Sequence, residues 1–209
     1  MAFGQSARSG IQEVIMALSF SLNAEERAFL ARLARLAIES ALAGKGTARP
    51  PEPPEKGDAV RESVGTLRRP LGSFATITLN GRLRGCIGTI VGREPLYLNL
   101  WRMARAAAFE DPRFPSLTLR EWAGAALHIS VLDELTPCPD PEAIEVGRHG
   151  LALQYLGHSG VFLPQVPVEQ GWDRLSYLEN LCAKAGLPGG SWRAPGARLF
   201  WYEALVFDA

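Results

Sequence analysis

The pattern of the sequence predicts an α+β protein, in the broader α/β sense, with a mainly antiparallel sheet flanked by helices. Three observations carry that expectation. Strand-like runs joined by tight turns occur at least twice, helical periodicity alternates with them along the chain, and no glycine-rich phosphate loop signals a doubly wound parallel sheet. The first hairpin is the sharper one. Residues 73–79 alternate as a strand, and Asn80-Gly81 is the dipeptide that best tolerates the two positive φ angles of a type I′ turn. The second is expected over residues 151–163, turning through Gly157-His158-Ser159-Gly160.

Residues 1–10 carry glycine and serine and predict no order, and residues 11–20 read as a short apolar helix. Residues 1–20 are therefore taken as an N-terminal extension and residues 21–209 as one domain. Asn23 with Glu26 three positions on has the spacing of a capping box, and Phe29, Leu30, Leu33, Leu36 and Ala37 follow at helical intervals until Gly44. Four prolines between Gly44 and Gly57 predict an extended, exposed connector without secondary structure. Glu94-Pro95 opens a second helix with Leu96, Leu100, Met103 and Ala107 on its core face, ending where Asp111-Pro112 forbids continuation. Thr118 and Glu121 form another capping box ahead of a strand through Leu127, Ile129 and Val131. Cys138 between two prolines reads as an exposed spacer. Asp173 caps a helix with Leu175, Leu178, Leu181, Cys182 and Ala185 on its buried side, Gly186 suits its C-terminus, and residues 198–207 read as one long aromatic-rich strand.

Lys plus Arg equals Asp plus Glu at 22 each, so no overall field draws the chain to nucleic acid or to an anionic membrane. Nothing reaches the length of a membrane span, and residues 11–20, interrupted by Gln12 and Glu13, lack a secretory layout. Three widely spaced cysteines without a C-x-x-C pair point to a reducing, cytoplasmic setting, and their spacing supports no metal site. The sequence fixes no cofactor.

Chemistry concentrates in residues 83–90, Leu-Arg-Gly-Cys-Ile-Gly-Thr-Ile. A regular ladder from Asn80-Gly81 sets Ile77 opposite Arg84 and Ala75 opposite Cys86, with Arg82, Arg84 and Cys86 on one face. Two residues of strand rise, roughly 7 Å, then let the Arg84 guanidinium fold back on the sulfur and favour the thiolate. Gly85 and Gly88 weaken a strand unless a bulge or a close approach requires them. The plainer alternative is a small buried cysteine in a glycine-kinked strand.

These residues resemble the signature of the AMMECR (AMME chromosomal region) domain family, whose microbial members include protein A of the AmmeMemoRadiSam system. Ser73-Phe74, Ala106-Ala107, Asp111-Pro-Arg-Phe-Pro115, Ser130-Val-Leu132, Gly147-Arg-His-Gly-Leu151, Leu163-Pro-Gln-Val166, Gly171-Trp-Asp173 and Lys184-Ala-Gly-Leu-Pro188 agree in order, from about Leu22 to Phe207. The resemblance implies a smaller second lobe, a cleft near the cysteine motif, and a Memo-like protein and a radical SAM protein as partners. It implies no reaction. Ile90 stands where phenylalanine is common in the family.

Cys86 is the natural nucleophile. Only three histidines can serve it, and the resemblance brings His149 near the motif as proton acceptor; without it, His149 is a turn residue, His128 a packed or surface strand residue and His158 a solvated hairpin tip. Glu110 and Asp111 could orient His149 or act as acid and base, against the simpler role of a helix end paired to Arg113. Arg84 and Arg113, with the amides around Gly85 and Gly88, could hold an anionic substrate, and Gln165 and Trp172 could wall the cleft. Lys184, on the last turn of a helix, suits the dipole with no further role. Two functions follow: an enzyme or enzyme-accessory protein acting on a small or peptide-like substrate through Cys86, or a non-catalytic module whose cleft docks a ligand or partner. A metal variant using Cys86, His149 and an acid has ligand types that suit zinc or iron but no spacing to support it.

Overall fold

The computed structural model describes residues 18–44, 48–54 and 64–209. The unstructured start expected for residues 1–10 and most of the helix expected over residues 11–20 lie outside them; residues 18–20 are not helical, and Phe20 is buried in the core.

Helix α1 (Ala24–Leu42) opens on the Asn23 capping box, with Asn23 accepting from the Glu26 amide and the Glu26 carboxylate accepting from the Asn23 amide. Its buried stripe is Leu30, Leu33, Ala34, Ala37 and Ile38, one step off the expected face, so Leu36 is exposed. The proline-rich connector has no helix or strand over residues 48–54, yet Pro53 is buried and Glu52 accepts from the Tyr97 hydroxyl at 3.0 Å. That segment is packed, not merely exposed. After α2 (Val64–Arg68), strands β1 (Leu71–Leu79) and β2 (Arg82–Val91) form the expected hairpin, with Asn80 at φ +52° and Gly81 at φ +74°. Helix α3 (Leu96–Phe109) is apolar on most of its surface because β1 and β2 cover one side and α1 the other. Thr118 then caps α4 (Leu119–Trp122) and leads into β3 (Ala125–Leu132).

The second half builds the smaller lobe from β4 (Thr136–Pro137), β5 (Gly150–Tyr155), β6 (His158–Phe162), α5 (Gln165–Glu169), α6 (Arg174–Lys184) and β7 (Arg198–Tyr202). The β5–β6 hairpin turns one step earlier than expected, at Leu156-Gly157, so His158 is the first residue of a strand instead of a loop tip. Asp173 caps α6 as expected, but Tyr177 takes the buried place while Leu175 points outward, 52% exposed. The predicted long final strand is two. It breaks at Glu203, where the chain leaves one sheet as β7 and enters the other as β8 (Ala204–Asp208).

Both sheets are antiparallel, ordered β2-β1-β3-β8 and β4-β7-β5-β6. The larger core lies between the first sheet and the helices α3 and α1; the smaller packs α6 on β5 and β6 around Tyr177, Leu178 and Leu181. Leu132, Leu163 and Tyr202, with Phe74 and Ile90 against them, join the two lobes beside the end of β3.

Candidate functional site: the cysteine strand and its cavity

The ladder between β1 and β2 is not regular. Thr78 pairs with Leu83, but Ile77 pairs with Gly85, so Arg84 is an extra residue in β2. The bulge changes the phase of everything after it. Cys86 stands opposite Thr76 and not Ala75, on the face that carries Phe74, Thr76 and Thr78. Ala75 is fully buried toward the helices; the regular register would have set the thiol on that side too.

The bulge also separates the pair that strand alternation had joined. Arg84 turns to the helix side, 8% exposed, where Nε donates to Glu121 at 2.8 Å and Nη2 to the Pro115 carbonyl at 3.0 Å. It therefore does not stand over the Cys86 sulfur. This bidentate pairing holds the Glu121 carboxyl down at about 2, helped by the Thr118 cap. Both glycines of the motif answer close approaches. A Cβ on Gly85 would lie 2.1 Å from the carbonyl oxygen of Ala107 in α3, and one on Gly88 would lie 2.2 Å from the Phe74 ring.

The outer edge of β2 is closed by the turn after α3. The Asp111 carboxylate, 4% exposed, accepts from the Cys86 amide at 2.9 Å and from Arg113 Nε at 2.9 Å and Nη2 at 2.7 Å, and Arg113 Nη2 also reaches the Cys86 carbonyl at 3.3 Å. Arg113's hydrogen bonds, with the Cys86 amide behind them, hold the Asp111 carboxyl far below the ordinary carboxylate range against the opposing effect of burial. Asp111 thus clasps the strand and leaves little capacity for acid–base work. Glu110, beside it at the C-terminus of α3, is exposed.

Between the lobes lies a cavity of about 710 Å³. Phe74, Thr76, Thr78 and Cys86 line it from the first sheet, Asp111 and Arg113 from the clasp, and Val161, Phe162, Leu163, Gln165, Glu169 and Lys184 from the smaller lobe. The Cys86 sulfur lies 3.2 Å from Thr76 Oγ1 and is half-buried. Lys184 Nζ sits 5.1 Å from the centre of the Phe162 ring, and among the described residues no carboxylate pairs with it. The sequence gives Lys184 a helix-end role alone; its legible signals are its place on the last turn of α6 and in the segment Lys184-Ala-Gly-Leu-Pro188 that resembles the family.

The other candidates are elsewhere. Trp172 stands behind the wall, edge-on to Phe162 at 5.4 Å. His149 does not line the cavity. It is 3% exposed inside the smaller lobe, its ring 4.5 Å from that of Trp201 and its Nδ1 accepting from the Glu145 amide at 3.0 Å. Burial, reinforced by Arg148, pushes its pKa down, so the structure holds a neutral ring as packing. Cys138 is half-buried, and burial pushes its thiol up to about 11; Cys182 is fully buried. Among the described residues no group of three or more His, Cys, Asp or Glu side chains is arranged to hold a metal ion, and no helix is long and apolar enough to cross a membrane.

The chain is similar to archaeal proteins along nearly its whole length. Protein MJ0810 of Methanocaldococcus jannaschii is 38% identical over 195 residues, 90% of this chain and 92% of that one, and Protein NEQ441 of Nanoarchaeum equitans is 38% identical over 86% of this chain and 98% of its own. Among solved structures, the uncharacterized protein PH0010 from Pyrococcus horikoshii superposes with a TM-score of 0.73 at 37% identity, covering 86% of this chain and 89% of that one. The AMMECR1 family profile matches residues 31–207, which includes the bulged cysteine strand, the Asp111 clasp and both walls of the cavity: this chain belongs to the AMMECR1 family.

Proposed function

We propose that the protein is a cytoplasmic enzyme, or the accessory protein of one, that holds a small or peptide-like ligand with an anionic group in the inter-lobe cleft, its reacting part against Cys86. One observation carries this reading. A half-buried thiol opens into a cavity of the size that small-molecule sites have, with apolar walls and few polar groups, among them the Lys184 cation. Phe74, Val161, Phe162 and Leu163 supply the apolar surface; Arg113 is paired to Asp111, so Lys184 is the cation offered to a ligand, on a lining that also carries Glu169.

Two alkylating reagents test it. In a chain carrying Cys138→Ser and Cys182→Ser, iodoacetate and neutral iodoacetamide are compared at Cys86. The iodoacetate-to-iodoacetamide rate ratio is expected to be about tenfold higher in the folded protein than in the unfolded chain, and to fall back in Lys184→Met, the size of effect one charge exerts across a partly wet cleft. Equal ratios in folded, unfolded and Lys184→Met protein would rule out an anion site at the thiol.

A second reading is favoured by the place of β6 at the edge of the second sheet, with Val161 and Phe162 lining the cleft: the cleft docks a segment of a Memo-like or radical SAM partner, and Cys86 is chosen for its size. Cys86→Ala then leaves partner binding intact, whereas the enzyme reading requires loss of turnover.

A further inference from the structure

The outer face of the first sheet carries a second set of polar groups beside the thiol. Register places Cys86, Thr76, His128 and Asp208 in one row across β2, β1, β3 and β8, with Thr78 next to it on β1. Asp208 Oδ1 lies 2.7 Å from His128 Nδ1, and His128 Nε2 lies 3.4 Å from Thr78 Oγ1. A carboxylate only accepts, so Nδ1 carries the proton of the neutral ring, and Nε2 presents a lone pair to the Thr78 hydroxyl. Thr78 lines the same cavity as Cys86, whereas His128 stands behind it, partly exposed. This is the order of contacts, carboxylate to imidazole to hydroxyl, by which a hydroxyl is made ready to pass on a proton, and such contacts are commonly long before ligand binds.

We propose that Thr78, His128 and Asp208 form the proton relay of the cleft, with His128 as the group that takes up and returns the proton, Thr78 as the hydroxyl that touches the ligand or its attacking water, and Asp208 as the positioning residue. The step balances without any other reactant. As Thr78 Oγ1 accepts a proton from ligand or water it gives its own to His128 Nε2, and the reverse transfer restores both. The chemistry this serves is addition to an electrophilic, carbonyl-like carbon held at the thiol. The relay rests on the reading of the cleft as an enzyme site and fills the role that His149, packed in the smaller lobe, does not reach.

p-Nitrophenyl acetate is the probe, used with the full chain carrying Cys138→Ser and Cys182→Ser. Cys86 sulfur attacks the acetyl carbon, p-nitrophenolate leaves and the thiol proton passes to solvent; water then attacks the thioester, one of its protons passing through Thr78 to His128 and from there to the departing sulfur as the C–S bond breaks, while the other is lost to solvent as the released acetic acid ionises to acetate. The expected result is a burst of nitrophenolate followed by turnover that falls about ten- to hundredfold in His128→Gln and Thr78→Val while Cys86 is still acylated, and that Thr78→Ser restores. Turnover in His128→Gln at the parent rate would overturn the relay and leave the thiol reading standing. No burst at all would overturn the thiol reading, and the relay is then judged by long-range proton–nitrogen NMR of the histidines. His128 is expected as the Nδ1–H tautomer, mixing in Asp208→Asn; an Nε2–H ring, or one indifferent to Asp208, would overturn it.

Discussion

Replacing Gly85 with alanine is expected to destabilise the fold by about 3 kcal/mol or more, at the upper end of what overpacking costs. The added Cβ would lie 2.1 Å from the carbonyl oxygen of Ala107, and that atom is backbone in the last turns of α3, so no rotamer change relieves the clash. Either α3 lifts off the hairpin or β2 moves away, and both disturb the packing of Leu100, Ala104 and Ala107 against β1. Gly65, with nothing within 4 Å of its would-be Cβ, is the control: alanine there is expected to be neutral or to stabilise by up to about 1 kcal/mol. Urea unfolding of the two variants, compared at unchanged slope, checks the pair. A Gly85→Ala midpoint equal to that of Gly65→Ala would mean that α3 does not bear on β2 at this point.

Asp111→Asn is expected to cost about 2 to 3 kcal/mol. One carboxylate oxygen becomes an NH₂ that must face either the Cys86 amide or the Arg113 guanidinium, both of them donors, inside a buried turn. The Arg113 share is discounted because its side chain is 53% exposed. The cost must also depend on pH. The folded carboxyl titrates well below the unfolded value of about 3.9, so its stabilisation is fully present above that value and is lost as pH falls through the acid range toward the folded pKa. The stability gap between the parent and Asp111→Asn is therefore expected to be flat from pH 7 to about 5 and to narrow steadily below about 4. A gap unchanged between pH 6 and pH 3 would show that the carboxylate is not the clasp.

The contrast between what sequence revealed and what it hid follows the range of the forces. The Asn80-Gly81 turn, the Asn23 and Thr118 capping boxes and the Asp173 cap are satisfied by residues within a few positions, and the structure has each of them. The bulge at Arg84 is different. It exists because Gly85 lets α3 approach and because Glu121, in a helix thirty-odd residues on, takes the guanidinium; strand alternation contains neither fact. The aromatic run through residues 198–207 gave no sign that Glu203 ends one sheet and begins another, since both strands are continuous apolar runs. Cys86, Asp111, Arg113 and Gln165 do meet at the cavity, but His149 and Arg84 are buried away from it, one inside the smaller lobe and the other on the helix side of the first sheet. The row through Thr76 and His128, with Thr78 beside it, left a faint trace, polar residues alternating with apolar ones in two strands, whose meaning depends on a register that only pairing supplies.

The bulge moves the cysteine from the helix side of the sheet to the cavity side. Timed labelling of the native wild-type protein with iodoacetamide, located by peptide mass spectrometry, reads that directly. The structure predicts that Cys86 is labelled while the chain is folded and that Cys182, fully buried against the second sheet, is labelled only as the chain unfolds. Labelling of Cys86 and Cys182 together, and only under unfolding conditions, would place the thiol beneath α3 and contradict the account.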